Sequence, residues 1–470
     1  MSLKAKPRKG YERINMGKYF GTDGFRGKAG AELNSGHAFK VGRYLGWYFA
    51  NQPHEGERAR ILIGKDTRRS SYTLENALAA GITASGADAF LMHVTTTPSV
   101  SHMTSEEGFA CGIMVSASHN PYNDNGLKLI NSNGEKMPEA FQDEIEKYID
   151  SAQDYIPYAV DDMIGKTEDY YFGRNKYISY LVNAAEKSFE NCKVALDCAN
   201  GSAWMIGRAV FDALGARVNP INNQPNGMNV NKNCGSTHLE SLQKYVVDNN
   251  MDVGFAYDGD ADRCLAVDEG GNVINGDQIM YVCAKYLKER NMLPGNKIVV
   301  TVMSNMGLLK ALDNLGIEYE ITQVGDKNVY EKMNEGNYAF GGEQSGHIIF
   351  RRVSRTGDGI LTSIMLMNVM IKTQLPLSLL AQSCKMYPQI LKNVVVDDKQ
   401  KTLDDPAVKA SVRECTAKLG KTGRVLLRAS GTEPVLRVMA EAETDEAANR
   451  SVDQIIAAMA KGGHLLEIRR

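Results

Sequence analysis

The stretch Ile113-Met-Val-Ser-Ala-Ser-His-Asn-Pro-Tyr-Asn-Asp-Asn-Gly-Leu-Lys128 organises the chain. Its apolar start predicts a buried strand, which ends at hydroxyls, an imidazole, a proline and an Asn-Gly turn signal. Polar groups at a strand end lie where open α/β folds place their chemistry. The hydroxyl of Ser118 is a candidate nucleophile or phosphate acceptor, with His119 and Lys128 near enough in sequence to manage protons or charge. Taken alone, the stretch favours an ordinary turn in which serine hydroxyls bond the backbone.

Length and composition limit the possible number of domains and the possible class of protein. A chain of 470 residues predicts three or four domains at about 150 residues each. A net charge of -2 and 43% hydrophobic residues exclude a general attraction to nucleic acid or to a membrane surface. The segment Ile360–Ile371 is apolar but too short to span a bilayer, so we expect a buried helix. The start, Met1–Gly10, is basic without an apolar core and predicts no secretory signal.

The cysteines indicate a reducing compartment. They are scattered, with no Cys-x-x-Cys spacing and no cysteine-histidine ligand pattern. The eight positions are Cys111, Cys192, Cys198, Cys234, Cys264, Cys283, Cys384 and Cys415. We therefore expect free thiols and a cytoplasmic location.

Strand and helix patterns alternate along most of the chain, which predicts α/β units with a largely parallel sheet at the start. Three segments share one order, an apolar helix, a glycine at the helix C-cap position and then a strand. These segments are Ala77–Val94, Val210–Ile221 and Leu309–Thr322. The repetition predicts three related α/β units, followed after Pro388 by a smaller final domain.

The acidic loop Asp258-Gly-Asp-Ala-Asp-Arg263 is the strongest chemical signal. In an extended backbone, Asp258, Asp260 and Asp262 would point to the same side. Three carboxylates so close repel one another unless a hard cation lies among them, and oxygen ligands favour Mg2+. A calcium EF-hand matches the acidic positions, but Arg263 stands where that loop needs glycine, and strands flank the loop. A metal-free acidic turn is the third interpretation.

Three further loops carry groups suited to a phosphorylated sugar. Near the start, Gly21-Thr-Asp-Gly-Phe-Arg-Gly27 offers Arg26 to a phosphate oxygen or to an ion pair with Asp23. In Gly341-Gly-Glu-Gln-Ser-Gly-His347, an extended backbone would aim alternate side chains at the hydroxyl or amino groups of a sugar; they are Glu343, Ser345 and His347. The turn Arg428-Ala-Ser-Gly-Thr-Glu-Pro434 suits a phosphate, although a simple hairpin needs only its glycine.

These motifs, in this order and spacing, resemble the α-D-phosphohexomutase superfamily over nearly the whole chain from about Lys18. The loops Gly-Glu-Gln-Ser-Gly-His and Gly-Thr-Asp-Gly-Phe-Arg-Gly, with Asn229-Val-Asn-Lys-Asn-Cys-Gly-Ser-Thr-His238, are most similar to the bacterial phosphoglucosamine mutases. Phosphomannomutases typically have methionine where Gln344 stands, and a histidine near the sugar where Asp326 stands. Leu239 departs from the proline that the family pattern has after Ser-Thr-His.

The resemblance implies interconversion of glucosamine 6-phosphate and glucosamine 1-phosphate through a phosphorylated Ser118 and a sugar bisphosphate, feeding UDP-N-acetylglucosamine and cell-wall synthesis. It implies that Lys128, His119 and Arg26 assist proton transfer and charge neutralisation, while Arg263 stabilises the phosphoryl group in transfer. One Mg2+ per chain would be bound by phosphorylated Ser118 and the three aspartates. The implied substrate-binding residues are Glu343, Ser345, His347, Arg428, Ser430, Gly431, Thr432 and Arg437.

The implied fold is α/β, with three similar α/β/α domains with mixed sheets and a smaller C-terminal α+β domain, arranged around a central cleft. The expected domains are 1–173 with the phosphoserine loop, 174–276 with the metal loop, 277–388 with the sugar-binding loop and 389–470 with the phosphate-binding turn. A sugar 1,6-bisphosphate is the implied activator. The implied partner is a small phosphosugar, without nucleic acid or membrane, bound by a monomer or homodimer.

Other functions stay open from sequence. A phosphomannomutase or phosphoglucomutase of the same superfamily is the runner-up. A non-catalytic phosphosugar-binding protein would not need Ser118 and three aspartates together. A metal phosphatase would fit the acidic loop, but it would need neither Ser118 nor the C-terminal phosphate-binding turn.

Overall fold

The computed structural model describes residues 18–21, 23–53, 58–430 and 435–469. The chain divides into two compact units. One consists of the described residues of Met1–Val302 together with Glu320–Leu380. The other consists of Met303–Tyr319 and the described residues of Ala381–Arg470. No helix in the described ranges combines the length and the hydropathy needed to cross a membrane.

The first sheet has seven strands in the order β1-β2-β6-β5-β3-β4-β7. The strands are β1 (Phe20–Gly21), β2 (Gly24–Lys28), β3 (Arg60–Lys65), β4 (Asp88–Val94), β5 (Cys111–Val115), β6 (Asp124–Asn131) and β7 (Thr167–Asp169). The helices of this region are α1 (Ser35–Ala50), α2 (Arg69–Thr83), α3 (Thr97–Glu106), α4 (Glu139–Asp150) and α5 (Phe172–Asn183). Strands β5, β3, β4 and β7 run parallel to one another, as expected. The pairs β5–β6, β6–β2 and β2–β1 are antiparallel. The loop that carries Ser118 therefore joins two antiparallel neighbours, β5 and β6.

Helices α1 and α2 pack closely because glycines face each other across their contact. A Cβ atom at Gly42 would lie 2.3 Å from the carbonyl oxygen of Leu78, and one at Gly81 would lie 2.3 Å from that of Phe39. Leu45 and Leu78 are fully buried in the same core. Small residues thus set the spacing of the layer that covers one face of the sheet.

The second sheet has the order β12-β11-β10-β8-β9. Its strands are β8 (Lys193–Asp197), β9 (Arg217–Ile221), β10 (Val253–Tyr257), β11 (Cys264–Asp268) and β12 (Val273–Ile274), and the helices of this stretch are α6 (Ala203–Ala213), α7 (Glu240–Asp248) and α8 (Gly276–Glu289). Strand β10 pairs parallel with β8 and antiparallel with β11. The acidic loop is the connection between β10 and β11.

The third sheet has the order β14-β13-β15-β16. Its strands are β13 (Lys297–Thr301), β14 (Glu318–Thr322), β15 (Phe340–Gly342) and β16 (Ile348–Phe350), and the helices of this stretch are α9 (Met306–Leu315), α10 (Asp326–Glu335), α11 (Gly359–Thr373) and α12 (Leu377–Ala381). The expected buried helix is α11, in which Ile360, Leu361 and Ile364 have no exposed surface. The sugar loop is the connection between the antiparallel strands β15 and β16.

The fourth sheet is antiparallel throughout and has the order β18-β19-β17-β20. Its strands are β17 (Gln389–Val396), β18 (Gly423–Ala429), β19 (Val435–Ala442) and β20 (Leu465–Arg469), with helices α13 (Lys399–Asp404), α14 (Pro406–Leu419) and α15 (Asp445–Lys461). Short 3-10 helices lie at Asp161–Met163, Gly235–Thr237, Pro294–Asn296 and Gly420–Thr422. The predicted α/β class, with mixed sheets and a smaller α+β domain at the C-terminus, is confirmed.

The repeated helix–glycine–strand order is present at all three predicted places. Gly86 follows α2, Gly215 follows α6 and Gly316 follows α9. Their φ angles are 96°, 84° and 62°, in the left-handed region that other residues avoid. A glycine therefore ends each helix and turns the chain into the next strand.

We expect Gly215→Ala to lower stability by about 1–2 kcal/mol, because the new Cβ would take a positive φ and meet close neighbours. That atom would lie 3.1 Å from both Glu190 Cγ and Ser188 Oγ. Gly207→Ala inside α6 is the control, since its Cβ would make only ordinary contacts from 3.6 Å outward. Differential scanning calorimetry should show a lower Tm for the first variant only, and equal Tm values would contradict this account.

Candidate active site

Ser118 lies at the end of β5 in a backbone conformation that the surrounding structure must hold. Its φ is 52°, unusual for a residue with a side chain, and it is only 1% exposed. Its N–H donates to Ser116 Oγ at 2.9 Å, and its carbonyl oxygen accepts from Asn231 Nδ2 at 2.8 Å. These bonds fix the loop on both sides of Ser118, so its hydroxyl has a defined direction.

A buried ion pair below this loop completes the support. Arg68 and Asp66 are both fully buried and paired with each other. Arg68 Nη2 donates to the carbonyl oxygen of Ser118 at 3.1 Å, and Ser116 Oγ donates to Asp66 Oδ2 at 2.7 Å. Sequence reasoning did not identify this pair, although Asp66 directly follows β3, where an α/β fold places functional side chains.

The three aspartates of the acidic loop converge, but not by the predicted geometry. The loop is a tight turn between β10 and β11 rather than an extended segment, and Ala261 has a φ of 56°. The N–H of Ala261 donates to the carbonyl oxygen of Asp258 at 3.1 Å, which closes the turn. Asp258, Asp260 and Asp262 each offer one oxygen, and these atoms lie within 4.8 Å of one another.

Lys128 compensates part of the charge in this cluster. Its Nζ donates to Asp260 Oδ2 at 2.6 Å and to Asp262 Oδ2 at 2.8 Å. Burial lowers the pKa of Lys128, but the two carboxylates raise it by more, so its pKa lies above the usual lysine value. Burial and the neighbouring carboxylates instead raise the pKa of Asp258 well above the usual range.

The hydroxyl of Ser118 contacts Asp258 rather than Lys128. Ser118 Oγ donates to Asp258 Oδ2 at 2.6 Å and lies 3.3 Å from His119 Nδ1. Burial, followed by the charges of Arg263 and Arg26, lowers the pKa of His119 to about 4. The sequence indicated Lys128 as the proton partner of Ser118; within the described residues Lys128 bonds two aspartates instead, and its role in proton transfer stays a prediction.

Thr97 is a further member of the cluster that sequence reasoning missed. Its Oγ1 donates to Asp260 Oδ2 at 2.6 Å, and its N–H donates to the carbonyl oxygen of Asp260 at 3.0 Å. Thr97 is the first residue of α3, with Thr96 as its N-cap and Pro98 next in the first turn. This helix-capping sequence directly after β4 marks the end of the strand, where functional side chains are expected, and it could have identified Thr97.

The donor set suits a hard divalent cation. Asp260 Oδ1 and Asp262 Oδ1 are buried and have no hydrogen-bond partner among the described residues. Buried carboxylate oxygens without partners are costly, and all the ligands available here are oxygens. These observations fit Mg2+ better than a transition metal that prefers nitrogen or sulfur.

Two arginines lie around Ser118 and the acidic loop. Arg26 on β2 forms an ion pair with Asp23 at 3.5 Å, the second of its two predicted roles. The N–H of Arg263 donates to Asp258 Oδ1 at 3.2 Å, and its guanidinium Nε lies 4.0 Å from Asp262 Oδ1. The Nε atoms of both arginines are buried without a hydrogen-bond partner in the described residues, so each guanidinium keeps donor capacity for an anion.

The sugar loop is a turn, not the extended segment that the alternating pattern predicted. The N–H of Gly346 donates to the carbonyl oxygen of Glu343 at 3.0 Å, and Gly346 has a φ of 91°. Glu343 and His347 are buried on either side of the turn, whereas Ser345 at its tip is exposed. In a strand these three alternate side chains would share one face, but in this turn they do not.

His347 is held by its surroundings. Its Nε2 accepts from the N–H of Gly357 at 3.3 Å and lies 3.8 Å from Asp326 Oδ2. Lys136 Nζ donates to the other oxygen of Asp326 at 2.5 Å. A cavity of about 370 Å³ is lined by Lys136, Asp326, His347 and neighbouring side chains. This cavity has the size and polarity of a small-ligand site.

The C-terminal unit contains a separate cationic pair. Arg428 on β18 lies directly opposite Arg437 on β19 in the sheet register. Burial, then the charge of Arg437, lowers the pKa of Arg428. Ser430 is buried, and its carbonyl oxygen accepts from Lys399 Nζ at 2.8 Å. Like charges placed side by side favour a bound anion. Gly431 and Thr432 of the predicted phosphate turn lie outside the described residues.

Four models of one family match the chain in sequence order. They are described as "Phosphoglucomutase/phosphomannomutase, alpha/beta/alpha" domains I, II and III and "C-terminal domain", and they match residues 17–156, 175–271, 275–387 and 391–458. The domain boundaries expected from sequence differ from these ranges by a few residues at most places and stay a prediction.

Named proteins and solved structures are similar to this chain over nearly its whole length. A phosphoglucosamine mutase of Lachnospira eligens is 57% identical over 449 residues, covering 96% of this chain and 100% of that protein. A crystal structure of a phosphoglucomutase/phosphomannomutase family protein from Burkholderia thailandensis is 26% identical, with a TM-score of 0.80 over 95% of this chain and 98% of that one. An Aspergillus fumigatus N-acetylphosphoglucosamine mutase, solved with GlcNAc-6P and magnesium, shares the fold at 18% identity, with a TM-score of 0.70 over 96% of this chain and 97% of that one.

The four family models together cover most of the chain, and the relative at 57% identity covers 96% of it. The chain therefore belongs to the phosphoglucomutase/phosphomannomutase family and, within it, to the phosphoglucosamine mutases.

Proposed function

We propose that the chain interconverts glucosamine 6-phosphate and glucosamine 1-phosphate, with Ser118 as the phosphoryl carrier. The observation that carries this proposal is the position of Ser118 Oγ, which is buried and lies 2.6 Å from Asp258 in a cluster of three aspartates. A hydroxyl beside a cation site is suited to hold a phosphoryl group, since phosphoryl transfer depends mostly on positioning and charge neutralisation. Membership of the phosphoglucosamine mutases supports the choice of sugar.

We assign one Mg2+ per chain to Asp258, Asp260 and Asp262, together with an oxygen of phosphorylated Ser118. The unpartnered oxygens of Asp260 and Asp262 support this assignment. When bound, the cation neutralises charge on the phosphoryl group. Lys128 remains the protein's own counter-charge at Asp260 and Asp262, so the cluster never carries three uncompensated negative charges.

The reaction consists of two transfers of opposite direction. In the first, a sugar hydroxyl loses its proton to a base, a bond from its oxygen to phosphorus forms, the bond between Ser118 Oγ and phosphorus breaks, and Ser118 Oγ takes up a proton. The product is a sugar 1,6-bisphosphate, which also serves as the activator when it is supplied from outside. After this intermediate has changed its orientation in the site, Ser118 Oγ loses its proton and bonds the phosphorus of the other phosphoryl group. The bond from that phosphorus to the sugar oxygen breaks, and the sugar oxygen takes up a proton. The sugar phosphate now carries its phosphate at the other position, Ser118 is phosphorylated again, and no phosphate is consumed.

The residues around Ser118 take the roles that their positions allow. His119 lies within hydrogen-bonding reach of Ser118 Oγ, and Lys128 and Arg26 are the other groups that we assign to proton transfer and charge neutralisation. Arg263 lies beside Asp258 and Asp262, and its guanidinium would bind the phosphoryl oxygens during transfer. Such fixed donors lower the barrier because they need no reorganisation as charge moves.

We assign Glu343, Ser345 and His347 to the sugar and the C-terminal arginine pair to its distal phosphate. Glu343 Oε1 accepts from the N–H of Gly325 at 3.0 Å, which leaves its other carboxylate oxygen for a hydroxyl or ammonium group. Forked guanidinium donors match phosphate oxygens. The residues proposed for the distal phosphate are Arg428, Ser430, Gly431, Thr432 and Arg437.

Phosphomannomutase or phosphoglucomutase activity is the alternative within the family. A comparison of kcat/KM for glucosamine, mannose and glucose phosphates decides between them, and equal or better turnover of mannose 1-phosphate would contradict our assignment.

We also place the enzyme in the cytoplasm as a monomer or homodimer, where its product would feed UDP-N-acetylglucosamine and cell-wall synthesis.

Ser118→Ala should lower kcat by about 10^4-fold or more, because it removes the atom that carries the phosphoryl group. The fold should be retained, since the substitution removes one hydroxyl and keeps the backbone bonds of the loop. A coupled assay of glucosamine 1-phosphate formation measures the effect, with Ser179→Ala on the exposed side of α5 as the matched control. Turnover of the Ser118 variant within tenfold of the wild type, about 1.4 kcal/mol of barrier, would rule out the carrier role.

Asp260→Asn should lower kcat by at least about a hundredfold and weaken activation by Mg2+, since it removes one charge from the cation site. Excess Mg2+ should restore activity weakly if at all, because Lys128 also loses one of its two carboxylate partners. Titration of activity against Mg2+ concentration measures both effects. Asp143→Asn on the exposed face of α4 is the control, and a full rescue of the Asp260 variant would contradict the proposed ligand set.

A further inference from the structure

A second cavity shares Arg355 with the cavity beside His347 but is lined by none of the proposed catalytic residues. Its volume is about 580 Å³, and none of the residues assigned above to the metal, to Ser118 or to the sugar line it. Its lining includes His102, Glu106, Tyr180, Arg351, Arg352 and Arg355. The cavity belongs to the larger of the two compact units. Its volume lies in the range of small-molecule sites, about 300–1,000 Å³.

One wall is a rigid loop that follows β16, here called the arginine loop, residues Arg351–Arg355. The carbonyl oxygen of Phe350 accepts from the N–H groups of Val353 and Ser354, both at 2.8 Å. Ser354 Oγ donates to the carbonyl oxygen of Thr356 at 2.8 Å. Tyr180 donates its hydroxyl to the carbonyl oxygen of Val353 at 2.6 Å, which attaches the loop to α5. The backbone is therefore fixed before any ligand binds.

The arginine side chains of this loop lack counter-charges. Arg351 donates only to neutral amide oxygens, those of Asn334 at 2.7 Å and Asn337 at 2.8 Å. Arg352 and Arg355 form no ion pair and no hydrogen bond within the described part of the chain, and both are exposed. Glu106 is the one carboxylate among the lining residues. Three positive charges within five positions therefore face a single negative charge, and an anion would relieve their repulsion.

A second part of the lining is aromatic and adjoins the arginine loop. The rings of His102 and Tyr180 are stacked, with centroids 3.8 Å apart and planes 25° from parallel. Burial lowers the pKa of His102, so this ring is neutral at neutral pH. Pro294 and Ala339 extend the apolar surface of the cavity. A basic loop beside an aromatic surface matches a ligand with a charged end and a flat, weakly polar body.

We propose that this cavity is a second anion site, which binds an organic phosphate monoester of nucleotide size. The guanidinium groups of the arginine loop would bind the phosphate through paired N–H donors. The His102–Tyr180 wall would contact the organic part of the ligand, which a bare phosphate ion lacks. The proposal does not rest on the mutase reaction, since it uses none of the catalytic residues.

Isothermal titration of the full chain with AMP tests this proposal. Mg2+ and saturating glucosamine 6-phosphate are present, so that the phosphate sites of the catalytic region are occupied. We expect one AMP to bind per chain, and Arg352→Gln to weaken this binding at least about tenfold, since a charge-assisted hydrogen bond is lost. Inorganic phosphate should bind more weakly than AMP. Loss of mutase activity would not affect this readout, which requires no turnover.

Arg217→Gln is the matched control, because Arg217 is also exposed, lies on β9 and does not line the cavity. Its affinity for AMP should equal that of the wild type, and both variants should keep the wild-type Tm. The proposal is overturned if the wild type does not bind AMP, if Arg352→Gln binds it as tightly as the wild type, or if inorganic phosphate binds as tightly as AMP.

Discussion

Three carboxylates buried together can all be ionised only with positive charge among them. The oxygens of Asp258, Asp260 and Asp262 lie within 4.8 Å of one another, a distance at which two unit charges repel by roughly 3 kcal/mol at an effective dielectric constant of about 20. Lys128 from β6 bonds two of the three and supplies one positive charge. Thr97 from the start of α3 adds a hydroxyl to Asp260. The acidic turn is thus stable only where separate parts of the chain meet it, and the Ser118 loop depends on it in turn.

Much of the fold was predictable because its patterns are local. Apolar runs located most of the strands, the glycines after α2, α6 and α9 marked helix ends, and the buried helix α11 followed from its composition. The positions of Ser118 and of the acidic loop at strand ends were also correct. These features depend on neighbouring residues and on the periodicity of regular structure, which a single sequence contains.

The details of the site were not predictable, for two physical reasons. The alternation rule applies to extended backbone, whereas the acidic and sugar loops are turns in which Ala261 and Gly346 have positive φ. In addition, the supports of Ser118 are distant in sequence. Asn231 and Arg68 bond its carbonyl oxygen across 113 and 50 positions, so they become visible only when the sheet order is known.

The central claim is that Ser118 carries the phosphoryl group, and intact-mass spectrometry with peptide mapping tests it most directly. The protein is incubated with a sugar 1,6-bisphosphate and Mg2+, and the phosphorylated peptide is then identified. The account predicts a single phosphate on Ser118 and none in Ser118→Ala. An active protein that shows no phosphate after this incubation, or one whose phosphate lies on another residue, would contradict it.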